Sequence, residues 1–422
     1  MSFYSSEDIK NELLEPSVHN SNSTSGRSEF RIKGDVLPSL KLLNTGAFGQ
    51  AGTTTLDFIG VLGNIKHITL FDGRQELTAV RNFNDVMGFK NINKDNHSNS
   101  DIDRFLKRHS IGYQSRDANF TNNYGRKDMV KNAITKAFSA TDDDKSAQAL
   151  YFDLRECFKM LQSVPILSDK VFSQLRLVLE YENQNQKYQV ATNVVSTHRR
   201  PLLAIDRVMN PVIATNLINS ISAVSWVEEE HDRVNVAATT NNGVASTQKT
   251  SKRVLGFNNK YVGRLRIRKG YQDTSKNVNA NAVVEPGPYQ SILARGEVFQ
   301  LVVNGRALFP RAGLEGNSRR LAHLVDTHGE MNLTPDANHV FHNDFNPSAL
   351  DANKTGKMDY FGTTIGAVIR ELQLEYTREL QIDTTDPGHY NQALTLLITA
   401  EVSKVLQVGN GSYRISYAPN PV

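Results

Sequence analysis

The sequence predicts an all-β protein of two tandem jelly-roll or sandwich barrels with short helical insertions, and three observations carry that prediction. The chain has 422 residues, too many for one ordinary core and suited to two domains of roughly 150–200 residues each. From Ser28 onward it reads mostly as short alternating or β-branched runs broken by turn residues. Two landmarks of the first half recur in the second half, in the same order.

Composition bounds the class. Hydrophobic residues make up 39% and charged residues 22%, values of a folded globular chain. Cys157 is the only cysteine, so no intramolecular disulfide can form, a disulfide-stapled secreted scaffold is excluded, and a reducing compartment is expected. The opening MSFYSSEDIKNELLEP has early acids and no basic run ahead of an apolar one, so it does not read as a signal peptide. The most apolar run, Leu394 to Ile398, has strand length, far short of the roughly 20 residues of a membrane span. A net charge of +4 and a pI near 8.9 permit contact with nucleic acid without arguing for it.

Taken in order, residues 1–26 read as a flexible amino-terminal arm that orders against a neighbour or frays. It holds a short helix candidate, Ser6 to Leu14 with Ile9 and Leu13 on one face, followed by the polar run His19 to Gly26. The first barrel is expected over 27–212. Within it, Ile65 to Phe71 and Glu76 to Val80 flank Asp72-Gly73, the signature of a hairpin whose type I′ turn needs positive φ at both central residues. A long helical insertion is expected at about 91–144. Its helices are Asp101 to Arg108, with Ile102, Phe105 and Leu106 on one side, and Lys127 to Phe138, with Val130, Ala133, Ile134 and Ala137 in a stripe. The second barrel is expected over 213–422.

The repeat is carried by two pairs of segments. Leu177-Val-Leu-Glu-Tyr-Glu182 is echoed by Leu372-Gln-Leu-Glu-Tyr-Thr377, each alternating apolar with polar residues as a half-buried strand does. Ile68-Thr-Leu-Phe-Asp-Gly-Arg74 is echoed by Gln300-Leu-Val-Val-Asn-Gly-Arg306, a strand entering a tight turn followed by arginine. Helix-like stretches follow both hairpins, Arg81 to Met87 and Ser318 to Thr327, the second with Leu321, Leu324 and Val325 on one face. Both repeats are separated by about half the chain.

A family resemblance becomes specific at Tyr151-Phe-Asp-Leu-Arg-Glu-Cys-Phe-Lys-Met-Leu161, then Val164-Pro-Ile-Leu167 and the strand through Leu179. Strand, short helix (Leu154, Phe158 and Leu161 on one face), Pro-containing turn and Leu-Glu strand resemble the first barrel of double-jelly-roll viral major capsid proteins of the polinton-like virus and virophage type. Arg295 to Arg306 and the helix after it resemble the second barrel. The resemblance extends from about Ser28 to the carboxyl terminus. It departs at the insertion 91–144, which leaves the strand order of the first barrel open. It implies a homotrimer with six barrels in pseudo-hexagonal outline, standing normal to an icosahedral capsid, with loops outward and an arm reaching minor capsid or penton proteins.

No nucleotide-binding glycine loop, zinc-protease motif or hydrolase elbow is present, and a lone cysteine allows no Cys-x-x-Cys site. No catalytic, cofactor-binding or metal residues are therefore assigned and no cofactor is expected. Cys157 reads as buried packing beside Phe158 and Leu161. His339, His342 and Asp344 are the best metal candidates, but the two histidines fall on opposite faces of a strand. Glu228-Glu-Glu-His231 reads as a solvated strand end or an inter-subunit charge contact. Arg264, Arg266 and Arg268 would share one strand face as a basic stripe while Leu265 and Ile267 point to the core. That stripe reads as a solvated or inter-subunit face, with packaged DNA or an acidic partner as the other reading. The function expected is a structural coat protein of the virion. The rivals are a jelly-roll binding module, such as a viral penton, spike or lectin-like protein, and a β-sandwich glycoside hydrolase with two carboxylates.

Overall fold

The computed structural model describes residues 7–22, 25–43, 47–48, 54–56, 65–83, 86, 151–181, 188–190, 197–198, 200–238, 246–271, 298–310, 313–315, 319, 322–323, 326–327, 361–380, 393–409 and 412–417. They form two compact units. The first takes the described residues up to Glu228 together with 404–416, and the second those from Glu229 to Ser403 together with Tyr417.

The strands of the first unit are β1 (Ile9–Leu14), β2 (Val18–Asn20), β3 (Arg27–Arg31), β4 (Lys41–Leu43), β5 (Ala47–Phe48), β6 (Thr54–Leu56), β7 (Ile65–Asp72), β8 (Gln75–Arg81), β9 (Tyr151–Asp153), β10 (Leu175–Tyr181), β11 (Tyr188–Val190), β12 (Thr197–His198) and β13 (Leu202–Val208). Two antiparallel sheets result, ordered β1-β13-β4-β9 and β2-β3-β10-β7-β8, with the short pairs β5–β12 and β6–β11 apart from them. Alternation explains the core: Leu175, Leu177, Leu179 and Tyr181 of β10 are all buried, as are Ile68 and Leu70 of β7 and Phe30 of β3.

In the second unit run β14 (Ala223–Val236), β15 (Ser246–Val254), β16 (Lys260–Tyr271), β17 (Val298–Val303), β18 (Arg306–Ala307), β19 (Leu314–Glu315), β20 (Phe361–Ile369), β21 (Leu372–Leu380), β22 (Leu394–Gly409) and β23 (Ser412–Tyr417). The division between units falls inside β14 and inside β22, and residues 412–416 of β23 belong to the first unit. Sheets ordered β14-β22-β16-β20 and β15-β21-β17-β18 enclose a core that includes Val262, Leu265, Ile267, Phe299, Leu301, Leu374, Tyr376 and Ile398.

Numbering only the eight principal strands of each unit by chain order makes the topology plain. Both units read 1-8-3-6 in one sheet and 2-7-4-5 in the other, the winding order of a jelly roll. In both, the Leu-Glu-Tyr strand (β10, β21) lies between the hairpin strand (β7, β17) and the second strand of the roll (β3, β15). The duplicated landmarks thus occupy equivalent places, and the strand order of the first barrel is closed.

Several expectations need correcting. Ser6 to Leu14 is not a helix: Ile9–Leu14 is the first strand of the roll, paired in register with Leu203 to Val208. An isolated helix of that length is marginal in water, whereas the strand gains a ladder and the pairs Glu12–Arg207 (2.9 Å) and Asn11–Asp206 (2.8 Å). The described part of 1–26 is therefore barrel rather than arm. The division expected at 212/213 falls at Glu228/Glu229. Helix α1 spans Met160–Ser163, and α2, also in the first unit, spans Pro211–Asn219, capped by the Asn210 side chain with Pro211 at its first position.

The single helix expected around Leu154 to Leu161 is a 3₁₀ turn, Leu154–Glu156, followed by α1, though Leu154, Phe158 and Leu161 are all buried as their spacing implies. The Asp72-Gly73 turn is offset by one residue. Asp72 pairs with Gln75, so the loop is Gly73-Arg74 and only Gly73 has positive φ (58°). Asn304-Gly305 does have positive φ at both positions, 53° and 78°, as type I′ requires. The Phe83 and Val86 turn and residues Arg319, Ala322, His323, Asp326 and Thr327 are helical. The insertion 91–144 lies outside the described residues.

Candidate functional site

The acidic run of β14 is where charge is most concentrated, and the strand's alternation sends its members to opposite faces. Glu228 is 2% exposed and takes three donors: Lys404 Nζ at 2.8 Å, Trp226 Nε1 at 3.3 Å, and the Thr78 hydroxyl. Lys404 is itself nearly buried, so this is a desolvated ion pair within the first unit. In the second unit Glu229 pairs with Arg266 at 2.6 Å, and Glu230 takes Lys260 at 2.5 Å and the Tyr417 hydroxyl at 3.2 Å. His231 Nδ1 lies 3.0 Å from Thr399 Oγ1. The run is thus neither a strand end nor solvated: it sits mid-strand and each carboxylate has its own cationic partner.

The basic stripe is corrected in the same way. Leu265 and Ile267 do point into the core. Arg266, however, is only 12% exposed and is neutralised by Glu229, with Glu401 at 3.9 Å, and Arg264 faces Glu401 at 3.8 Å. Arg266 is thus part of an intramolecular network, while Arg264 remains on the solvated face expected of it. The side chain of Arg268 lies outside the described residues, as do His339, His342 and Asp344. Cys157 is buried with Sγ 3.3 Å from the Leu154 carbonyl oxygen, a packing residue. Among the described residues no three metal-ligating side chains cluster, and no helix is long and apolar enough to cross a membrane.

Sequence reasoning missed Lys404 and Thr78, because only the fold brings residues so distant in the chain to Glu228. It also missed the cations at the tight-turn end of the first barrel, although Arg31, Lys33 and Arg74 stand within three residues of a turn glycine. Two tyrosines are held neutral: burial raises the Tyr181 hydroxyl, which bonds to Ser28 Oγ at 2.7 Å, and burial beside the Asp72 carboxylate raises Tyr413.

No protein-family model matches the chain and no curated protein is significantly similar to it in sequence. Solved structures are similar in fold. The structure of PBCV-1 VP54 fitted into a reconstruction of the virophage Sputnik matches over 99% of both chains, with a TM-score of 0.55 and 12% identity. The mavirus major capsid protein matches over 96% of this chain and 90% of its own, with a TM-score of 0.54 and 9% identity. The Sputnik virophage structure matches over 97% and 88%, with a TM-score of 0.50 and 11% identity. The chain therefore has the double-jelly-roll fold, two barrels in tandem. It is the fold in which the mavirus major capsid protein is built.

Proposed function

We propose that the chain is a structural major capsid protein, forming pseudo-hexameric homotrimeric capsomers of an icosahedral DNA-virus shell and catalysing nothing. The observation that carries this reading is one eight-strand order occurring twice across nearly the whole chain, an architecture it has in common with the mavirus major capsid protein. It acts in the virion after synthesis in the host cytoplasm or nucleus. Its partners are further copies of itself, then neighbouring capsomers, minor capsid or penton proteins along the barrel sides and the amino-terminal segment, and, weakly, packaged DNA.

Exposed edges fit a protein made at high concentration. The edge strand β15 carries Lys249 and Arg253 at 61% and 73% side-chain exposure, and the edge strand β20 is kinked at Gly366 (φ 61°) beside a register shift at Val262/Arg264. Charges and bulges on edges block sheet-to-sheet addition, which leaves side-chain surfaces to make the contacts. In the amino-terminal segment the outward Leu13 of β1, 58% exposed, and Val18 of β2, 48% exposed, are the described large apolar side chains left for a minor protein to cover.

Light scattering on the purified chain, with negative-stain imaging of the same peak, tests the reading. A particle of three times 47.1 kDa with a hexagonal outline is expected. A strict monomer at high concentration would overturn it.

A further inference from the structure

We infer that the tight-turn end of the first barrel is a docking surface for the phosphate backbone of a nucleic acid. Three connections meet there: Arg31 to Asp35, Asp72 to Gln75, and Ser168 to Gln174. Hydrogen bonds stitch them together, from Ile32 N–H to the Leu175 carbonyl (3.0 Å), Gly34 N–H to Asp169 Oδ2 (3.0 Å), Gly73 N–H to the Gln174 carbonyl (3.0 Å) and Gln174 N–H to Asp72 Oδ1 (2.6 Å).

The carboxylates of this end are turned to internal work. Asp72 also accepts the Tyr413 hydroxyl (2.9 Å), Asp169 accepts Gly34, and Asp35 accepts the Ser168 hydroxyl (2.5 Å). Glu29, in the adjoining strand, is held by Arg27 and Arg176. Arg31, Lys33, Arg74 and Lys170, by contrast, are exposed, and the described structure gives none of them an ion pair or side-chain hydrogen bond. Four cations without an intramolecular counter-ion therefore project from hydrogen-bonded turns whose carboxylates, still charged, have oxygens turned toward internal donors, whereas Arg266 is matched directly by Glu229.

Cations gathered on three hydrogen-bonded turns fit a polymer carrying one charge per about 1.7 Å of duplex, and they read no sequence. A lipid surface fits less well, because none of the exposed large hydrophobic side chains lies in the three turns. That the polymer is packaged genome rests on the coat-protein reading; the surface itself does not.

The test is fluorescence anisotropy of a short mixed-sequence duplex with the full chain, across a salt series. Three proteins are compared: the wild type, a variant with Arg31, Lys33, Arg74 and Lys170 changed to Gln, and a charge-matched control with Lys252, Arg306, Arg319 and Arg370 changed to Gln. Wild type and control should bind with a steep salt dependence, and the rim variant should lose roughly 3–4 units of the log–log slope, about 0.9 per phosphate neutralised. Equal loss in both variants, no wild-type binding, or binding to phosphatidylserine vesicles but not to duplex would overturn the inference. Acetylation of wild-type Lys33 and Lys170, slowed by duplex if the surface is right and unchanged if it is not, decides the matter even if the rim variant fails to fold. Trimers that do not bind duplex would sink this inference alone, and a duplex-binding monomer would sink the coat reading alone.

Discussion

Glu228 is a buried carboxylate whose charge is matched inside the first unit. With Lys404, Trp226 and Thr78 around it, Glu228 is stable only while every partner is present. Changing Glu228→Ala should cost about 3–5 kcal/mol in urea unfolding, because it leaves the Lys404 ammonium desolvated and unmatched. The double replacement E228M/K404M should recover most of that, since well-packed apolar residues tolerate such a site as well as an ion pair does. A loss for Glu228→Ala below about 1 kcal/mol, the range of an exposed pair, would show that the site is wetter than described. The sequence could show that three acids and a histidine stand in a row, and alternation could show that they face two ways. It could not show which cations answer them, because Lys260, Arg266 and Lys404 come from strands whose pairing is set by the global winding.

At the scale of elements, alternation made β10 and β21 legible and turn chemistry made the hairpins legible, since both are local. The Asn304-Gly305 tip does more than turn. The Asn304 side chain donates to the Val368 carbonyl and accepts from Arg370 and Glu371 N–H, tying one tight turn to the next. Asn304→Ala should therefore destabilise the second unit by about 1–3 kcal/mol, through lost hydrogen bonds and a left-handed φ that Ala tolerates poorly, measurable as a lowered denaturation midpoint. β1 was illegible for the opposite reason: six residues of weak helical pattern carry no trace of a partner that far along the chain. Its docking is also the acid-sensitive one. The Arg207 guanidinium bonded to Glu12 holds that carboxyl below its ordinary range, so the pair contributes fully above that range and is lost as the pH falls through the lowered value. Amide exchange of β1 should quicken on acidification, and Glu12→Gln should show the quickened rate already at neutral pH. An exchange rate indifferent to both would remove Glu12 as the fastening.

For the whole molecule, the two rolls place the first and last strands of each barrel side by side, so neither barrel closes until its eighth strand exists. In the first unit that strand is β13, and the Glu12–Arg207 pair spans 195 residues of chain. At about 5–20 residues per second of synthesis, β1 waits roughly 10–40 s for its neighbour. The first unit is not finished even then, because residues 404–416 belong to it and Lys404 is the counter-charge of Glu228. A polypeptide cut short by a premature stop after β21 would carry a bare buried acid in its first barrel and an open edge in its second. Such a product exposes strand edge and unmatched charge, features that chaperones and proteases act on, so one stretch of chain, residues 394–416, completes both units.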